Sequence, residues 1–238
     1  AVLGRERVGA DDSFFALGGD SIVAIELVSH SRAQGVSFTP RAVFDRKTPA
    51  GIAAVATDGT QRVRMSELPG GGEGDLPLPP IAHTVLARAT APTDIDRFYQ
   101  AVALTAPADF DPATFESALA VVFDHHDALR AALTEDRLHV RPRGAVPPPQ
   151  LVDARDEDLA EQCRTLVGRL AIRSGVTFGA ARVADRILLV AHHFVVDAVS
   201  WRIIVDDLVG AYEAIRVGAV PTPAPVGTSF RRWNHALA

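Results

Sequence analysis

The chain has 238 residues, 47% hydrophobic and 22% charged, which excludes a disordered, collagen-like or disulfide-built protein. At roughly 150 residues per domain it predicts two compact units. A net charge of −5 from 24 basic and 29 acidic residues, with no long run of either sign, lacks the electrostatic footprint of a nucleic-acid binder. No run approaches the roughly 18 apolar residues of a membrane-spanning helix, and the opening Ala-Val-Leu-Gly-Arg has no secretory pattern, so a cytoplasmic location is expected. The single cysteine, Cys163, closes no intrachain disulfide and builds no thiolate metal site by itself.

Residues 1–3 read as the tail of a helix whose start lies outside the chain. Ser21 to Gln34 carries apolar Ile22, Ile25 and Val28 at helical spacing, with Gly35 placed as a C-terminal cap. A short helix is expected at Arg41–Phe44 and a third at Pro49–Ala56, opened by a proline. The segment Pro69–Pro80 holds four glycines and four prolines in twelve residues, too many breakers for a helix or an interior strand, and reads as a linker. It lacks the Lys-Ser or Lys-Thr and the flanking strand and helix of a phosphate-binding loop. This division predicts a small helical domain at 1–58, a flexible linker at 59–75 and a second domain at 76–238.

Past the linker the pattern is mixed α/β. A strand is expected at Arg97–Thr105, then a helix capped by Asp111 and Pro112 with Phe115, Leu119, Val122 and Phe123 on one stripe. A strand at Arg137–Arg141, a helix at Asp156–Ile172 and strands at Val176–Val183 and Arg186–His192 follow. The last has the continuous apolar run Ile187–Ala191 of a strand buried on both faces. An amphipathic helix then places Trp201, Ile204, Val205, Leu208, Val209 and Tyr212 on one side.

Ser21 stands just inside a helix start, with Asp20 placed to cap and Gly18-Gly19 leaving the backbone before it uncluttered. No G-x-S-x-G elbow is present, so this is not a hydrolase serine. The stretch Asp11-Asp12-Ser13-Phe14-Phe15-Ala16-Leu17-Gly18-Gly19-Asp20-Ser21-Ile22 resembles the modification motif of peptidyl carrier domains of nonribosomal peptide synthetases. Val43-Phe44-Asp45 and Thr48–Ala53 resemble the later helices of that family, so the likeness covers residues 1–57. It implies a 4'-phosphopantetheine arm on Ser21 holding an aminoacyl or peptidyl thioester. The aspartate at position 20, where many carriers have histidine, resembles carriers that precede epimerization domains.

His192-His193-Phe194-Val195-Val196-Asp197 ends the buried strand. Adjacent strand residues point to opposite faces, so His192 and His193 cannot both address one substrate, and a metal site using both is not expected. The segment resembles the H-H-x-x-x-D motif of the condensation-domain superfamily, with its chloramphenicol-acetyltransferase-like fold, and Ala198-Val199-Ser200-Trp201 resembles the epimerization branch. Asp124–Arg130 resembles an early helix motif of the superfamily, extending the likeness over 76–238, and its His125-His126 pair falls in a segment the family uses structurally. Pro80-Ile81-Ala82-His83 departs from the family's usual start, which has glutamine where His83 stands.

The resemblance implies that His193 is the acid/base residue, that Asp197 orients the turn and that His192 belongs to the same catalytic motif, with a structural role open for one of the two histidines. Histidine suits proton removal from Cα and its return, since its ordinary pKa of about 6.5 makes both forms accessible near neutral pH. It also implies a C-terminal lobe that this chain does not contain and that supplies a glutamate as the other acid/base group. The implied partners are an adenylation domain, a phosphopantetheinyl transferase and a downstream condensation domain. The sequence thus reads as a carrier followed by the N-terminal lobe of an epimerization domain. A non-catalytic docking scaffold and a peptide-bond-forming condensation domain stay open, the latter opposed by Ala198, where condensing members usually have glycine, and by Ser200-Trp201.

Overall fold

The computed structural model describes residues 2–58, 65–156 and 158–238. They fall into two compact units, Ala1–Arg64 and Met65–Ala238. The first holds helices α1 (Ser21–Ala33), α2 (Pro40–Arg46) and α3 (Pro49–Ala53), with β1 (Val36–Ser37) paired antiparallel to β2 (Thr57–Asp58). Each helix begins on a side-chain oxygen: Asp20 caps α1, Thr39 caps α2 and Thr48 caps α3, and a proline at the first position of α2 and α3 presets the backbone. Phe14, Val28, Phe38, Val43 and Ile52 form the core between them. Val2 and Leu3, expected as a helix tail, lie in a turn just before Gly4, whose φ of +59° is not helical; Ala1 is outside the described residues.

The second unit contains β3 (Gly74–Pro77), α4 (Pro80–Arg88), α5 (Pro92–Asp96), β4 (Tyr99–Thr105), α6 (Pro112–His125), a 3-10 turn at Asp127–Arg130, β5 (Ala131–Leu133), β6 (Arg137–Val140), β7 (Leu151–Asp153), α7 (Leu159–Val167), β8 (Phe178–Val183), β9 (Arg186–His192), α8 (Ala198–Arg216) and α9 (Phe230–Leu237). A four-stranded sheet runs β4-β9-β8-β7, antiparallel except for the β7–β8 pair, and a three-stranded antiparallel sheet runs β3-β6-β5. On β9, Ile187, Leu189 and Ala191 join the cluster that includes Leu119 and Val122 of α6 and Trp201 and Leu208 of α8. Leu188 and Val190 point the other way, into a cluster with Leu166 and Val167 of α7. The continuous apolar run is therefore a strand with both faces covered, each buried Leu contributing roughly 1.5–3 kcal/mol.

Further expectations change: the helix expected at Pro49–Ala56 ends at Ala53. The helix placed at 156–172 is shorter, because the Asp158 carboxylate accepts the N–H groups of Ala160 and Glu161 and starts the helix at Leu159, while Ala171 pairs with Val176 in a bridge beyond its end. The breaker-rich segment is the larger correction. Residues 59–64 of the expected linker lie outside the described residues, but 65–75 are built into the second unit. Glu67 accepts the Ser229 N–H at 2.9 Å and its hydroxyl at 2.8 Å, and Arg231 donates to the carbonyls of Pro69, Gly71 and Asp75. Gly70 and Gly71, at φ +84° and +62°, make the turn, and the strand that follows lies at a sheet edge, where Pro77 is tolerated.

Leu76 of that strand is 1% exposed. Leu76→Ala is expected to lower the stability of the second unit by about 2–5 kcal/mol in denaturant unfolding. A loss under about 0.5 kcal/mol would mean that the segment is a tether.

Candidate functional site

In the first unit the chain reaches Ser21 by turning over the buried ring of Phe14. A Cβ at Gly19 would fall 2.4 Å from that ring, and Gly18 holds φ +98°, so both positions need glycine. Asp20 Oδ1 then accepts the N–H groups of Ile22 and Val23 at 2.9 and 2.8 Å, spending its carboxylate on the helix. Ser21 is left exposed as the first residue of α1. An exposed hydroxyl at the positive end of a helix can be esterified without disturbing the core and favours a phosphate there. These residues fit a covalently attached phosphodiester arm.

In the second unit the end of β9 separates two histidines. His192 is 0% exposed; its Nε2–H donates to the carbonyl of Ile95 at 2.9 Å, and its Nδ1 accepts the Phe194 N–H at 3.1 Å. Both ring nitrogens are used, and burial pushes its pKa down to about 4. His193 continues the strand pairing through its N–H to the Phe98 carbonyl at 2.8 Å and points the opposite way. Its Nδ1 lies 2.7 Å from the Val196 carbonyl, which only accepts, so Nδ1 carries the proton. Its Nε2 meets the side-chain amide nitrogen of Gln100 at 3.1 Å, and the Phe98 ring stacks on the imidazole with centroids 4.6 Å apart and planes inclined 17°. Asp197 Oδ1 accepts both the backbone N–H and the hydroxyl of Ser200 at 2.7 Å, capping α8.

His193 and Asp197 line an open cavity of about 660 Å³ whose walls also include Ile81, His126, Phe230 and Trp233. His126 contacts Asp207 at 2.9 Å; its pKa is lowered, chiefly by burial and against the pull of that carboxylate. His125 donates to the Ala224 carbonyl. Among the described residues, His125, His126 and Asp207 are the group whose ligand-type atoms lie close enough to bridge a metal ion, within 4.8 Å of one another. His192, expected with the catalytic motif, is instead buried with both ring nitrogens bonded, and it faces away from His193 as strand alternation predicts.

Gln100 and Phe98 escaped the sequence reading. A signal existed for Gln100: β4 alternates exposed and half-buried residues, and Gln100 is the polar one on the inward row with Val102 and Leu104. Phe98 shows no such signal, because it precedes the strand. The cavity walls from α4 and α9 depend on tertiary packing.

The Condensation domain family model matches residues 74–237. The chain belongs to the condensation-domain family. A second family model, described as phosphopantetheine attachment site, matches residues 1–56, so a carrier domain that takes covalent 4'-phosphopantetheine precedes the condensation-family domain. Chondramide synthase cmdD of Chondromyces crocatus is 34% identical over 255 residues, 99% of this chain and 6% of that protein. A linear gramicidin synthase protein of Brevibacillus parabrevis is likewise 34% identical, over 99% of this chain and 5% of its own length. The chain thus spans a small part of these relatives. Among solved structures, the epimerization domain from the third module of tyrocidine synthetase B aligns at 25% identity and TM-score 0.61, covering 69% of this chain and 40% of that one. The X-domain from teicoplanin biosynthesis shares the fold at TM-score 0.57 and 22% identity, over 74% of this chain and 40% of its own. Among the described residues no helix is long and apolar enough to cross a membrane.

The burial of His192 in the condensation-family domain sets a pH dependence. Between about pH 6.5 and 4 the unfolded His192 binds a proton and the folded one does not, so its contribution to stability is present above 6.5 and is lost as pH falls, by about 3 kcal/mol in full. His192→Gln is expected to be less stable at pH 7, with the gap to the parent protein shrinking toward pH 4 in urea unfolding. Parallel stability curves would contradict this.

Proposed function

We propose that this chain is the carrier and the N-terminal lobe of an epimerization unit in nonribosomal peptide synthesis, with Ser21 the attachment residue for 4'-phosphopantetheine and His193 the acid/base residue for L/D interconversion at Cα. The bound arm supplies the thiol on which an aminoacyl or peptidyl group is held as a thioester. Asp20 keeps Ser21 exposed by capping α1 with its own carboxylate. The observation that carries the reading is the commitment of His193 Nδ1 to Val196 in the wall of the 660 Å³ cavity, which leaves Nε2 as the nitrogen for proton transfer.

In this reading Nε2 accepts the Cα proton beside the substrate carbonyl, onto which the electron pair is delocalised, and a group on the other face returns a proton. The family resemblance assigns that group to a glutamate of a C-terminal lobe. Asp197 shapes the turn by holding Ser200, and His192 anchors the strand end to Ile95. Epimerization is supported by Asp20 before the serine, by Ala198-Val199-Ser200-Trp201 and by the fold shared with the tyrocidine synthetase epimerization domain. A phosphopantetheinyl transferase installs the arm, an adenylation domain loads it, a downstream condensation domain receives the product, and the setting is cytoplasmic. A second reading, peptide-bond formation, is favoured by the description of the matching family.

The test loads the protein with an L-aminoacyl-phosphopantetheine, incubates it in D2O and reads the mass and chirality of the released amino acid. Ser21→Ala is expected to abolish loading; loading that survives would contradict the carrier assignment. His193→Ala is expected to lower deuterium entry at Cα by about 10²-fold or more, the usual contribution of a positioned acid/base group. Undiminished exchange would contradict its role. An amide product formed only with a second loaded carrier would establish the condensation reading instead.

A further inference from the structure

Gln100 sits on β4, opposite Ala191 of β9, and places its amide nitrogen 3.1 Å from His193 Nε2. That nitrogen is the one His193 has left, because Nδ1–H is held by Val196 at 2.7 Å. The same amide carries a second clue. Its Oε1 is buried and has no hydrogen-bond partner among the described residues, which is costly for a carbonyl oxygen.

We propose that Gln100 is the positioning residue for His193, its carboxamide turning over with the proton on Nε2. When the imidazole is neutral, Nε2 has a lone pair and the amide N–H donates to it, leaving Oε1 unpaired as observed. When Nε2 has taken a proton it needs an acceptor, and a half-turn of the amide brings Oε1 to it. Either state leaves one end of the amide without a partner, so the residue orients the ring without strongly favouring one protonation state. A carboxylate in its place would favour the imidazolium, and an apolar side chain would hold neither form.

Among the described residues, the other titratable groups around His193 are His192 on the opposite side of the strand end and His126, Asp127 and Asp197 along the cavity wall. This inference rests on the reading of His193 as the acid/base residue, and one of its two tests does not depend on that reading. In the first, the His193 imidazole is titrated by NMR in the parent protein, Gln100→Glu and Gln100→Met, with His193→Ala identifying the signal. Gln100→Glu, nearly isosteric, is expected to raise the midpoint by at least about one pH unit, a tenfold change in the proton equilibrium, and Gln100→Met by less than about half a unit. Midpoints within about 0.2 units of the parent in Gln100→Glu would overturn the proposal.

In the second, Cα deuterium exchange is followed against pH. Gln100→Glu is expected to shift the profile alkaline by the same amount, and Gln100→Met to lower exchange at least tenfold without that shift. Exchange within twofold of the parent in both variants would overturn the proposal. Absence of exchange in the parent protein would count against the His193 reading, with the Gln100 contact then decided by the titration.

Discussion

The second unit depends on a strand that is covered on both faces to its last residue. Because β9 has α6 and α8 on one side and the α7 layer on the other, consecutive side chains at its end enter different surroundings. That divides two chemically identical residues. His192 is shut in, with both ring nitrogens bonded and its proton affinity lowered by burial; His193 opens onto a cavity. The pairing of His193 N–H with the Phe98 carbonyl carries the ladder one step past the strand, and the Val196 carbonyl then fixes the ring from the following turn.

The carrier unit reaches exposure by the opposite route. Its serine is presented because everything around it is satisfied elsewhere: Phe14 fills the core, Gly18-Gly19 lets the chain pass over the ring, and Asp20 turns its carboxylate to the helix N–H groups. For the proposed roles, Ser21 offers a hydroxyl with no structural duty, and His193 has one nitrogen held by Val196 and the other met by the Gln100 amide. In both units a neighbouring residue takes the structural role, Asp20 in one and Val196 with His192 in the other.

How far this could be read from sequence differs by kind of signal. Helix starts were legible because caps are local: Asp20, Asp111 and the prolines at 49 and 112 mark them directly. The buried strand was legible from its unbroken apolar run, and the opposite fates of His192 and His193 followed from period-two alternation. The segment 65–77 was misread because glycine and proline content reports what a chain cannot do in a helix or an interior strand, and says nothing about turns and edge strands fastened by Arg231 and Glu67 across 162 residues. The Gln100 contact spans 93 residues, which no local pattern encodes, although the polar residue on an apolar row of β4 hinted at it.

The adjacent histidines are held in opposite tautomers, and long-range proton–nitrogen NMR correlation of the imidazoles near pH 8 tests this most directly. The neutral His192 ring is expected to carry its proton on Nε2, toward Ile95, and the neutral His193 ring on Nδ1, toward Val196. The same tautomer on both rings, or a mixture at His193 like that of a free histidine, would contradict it.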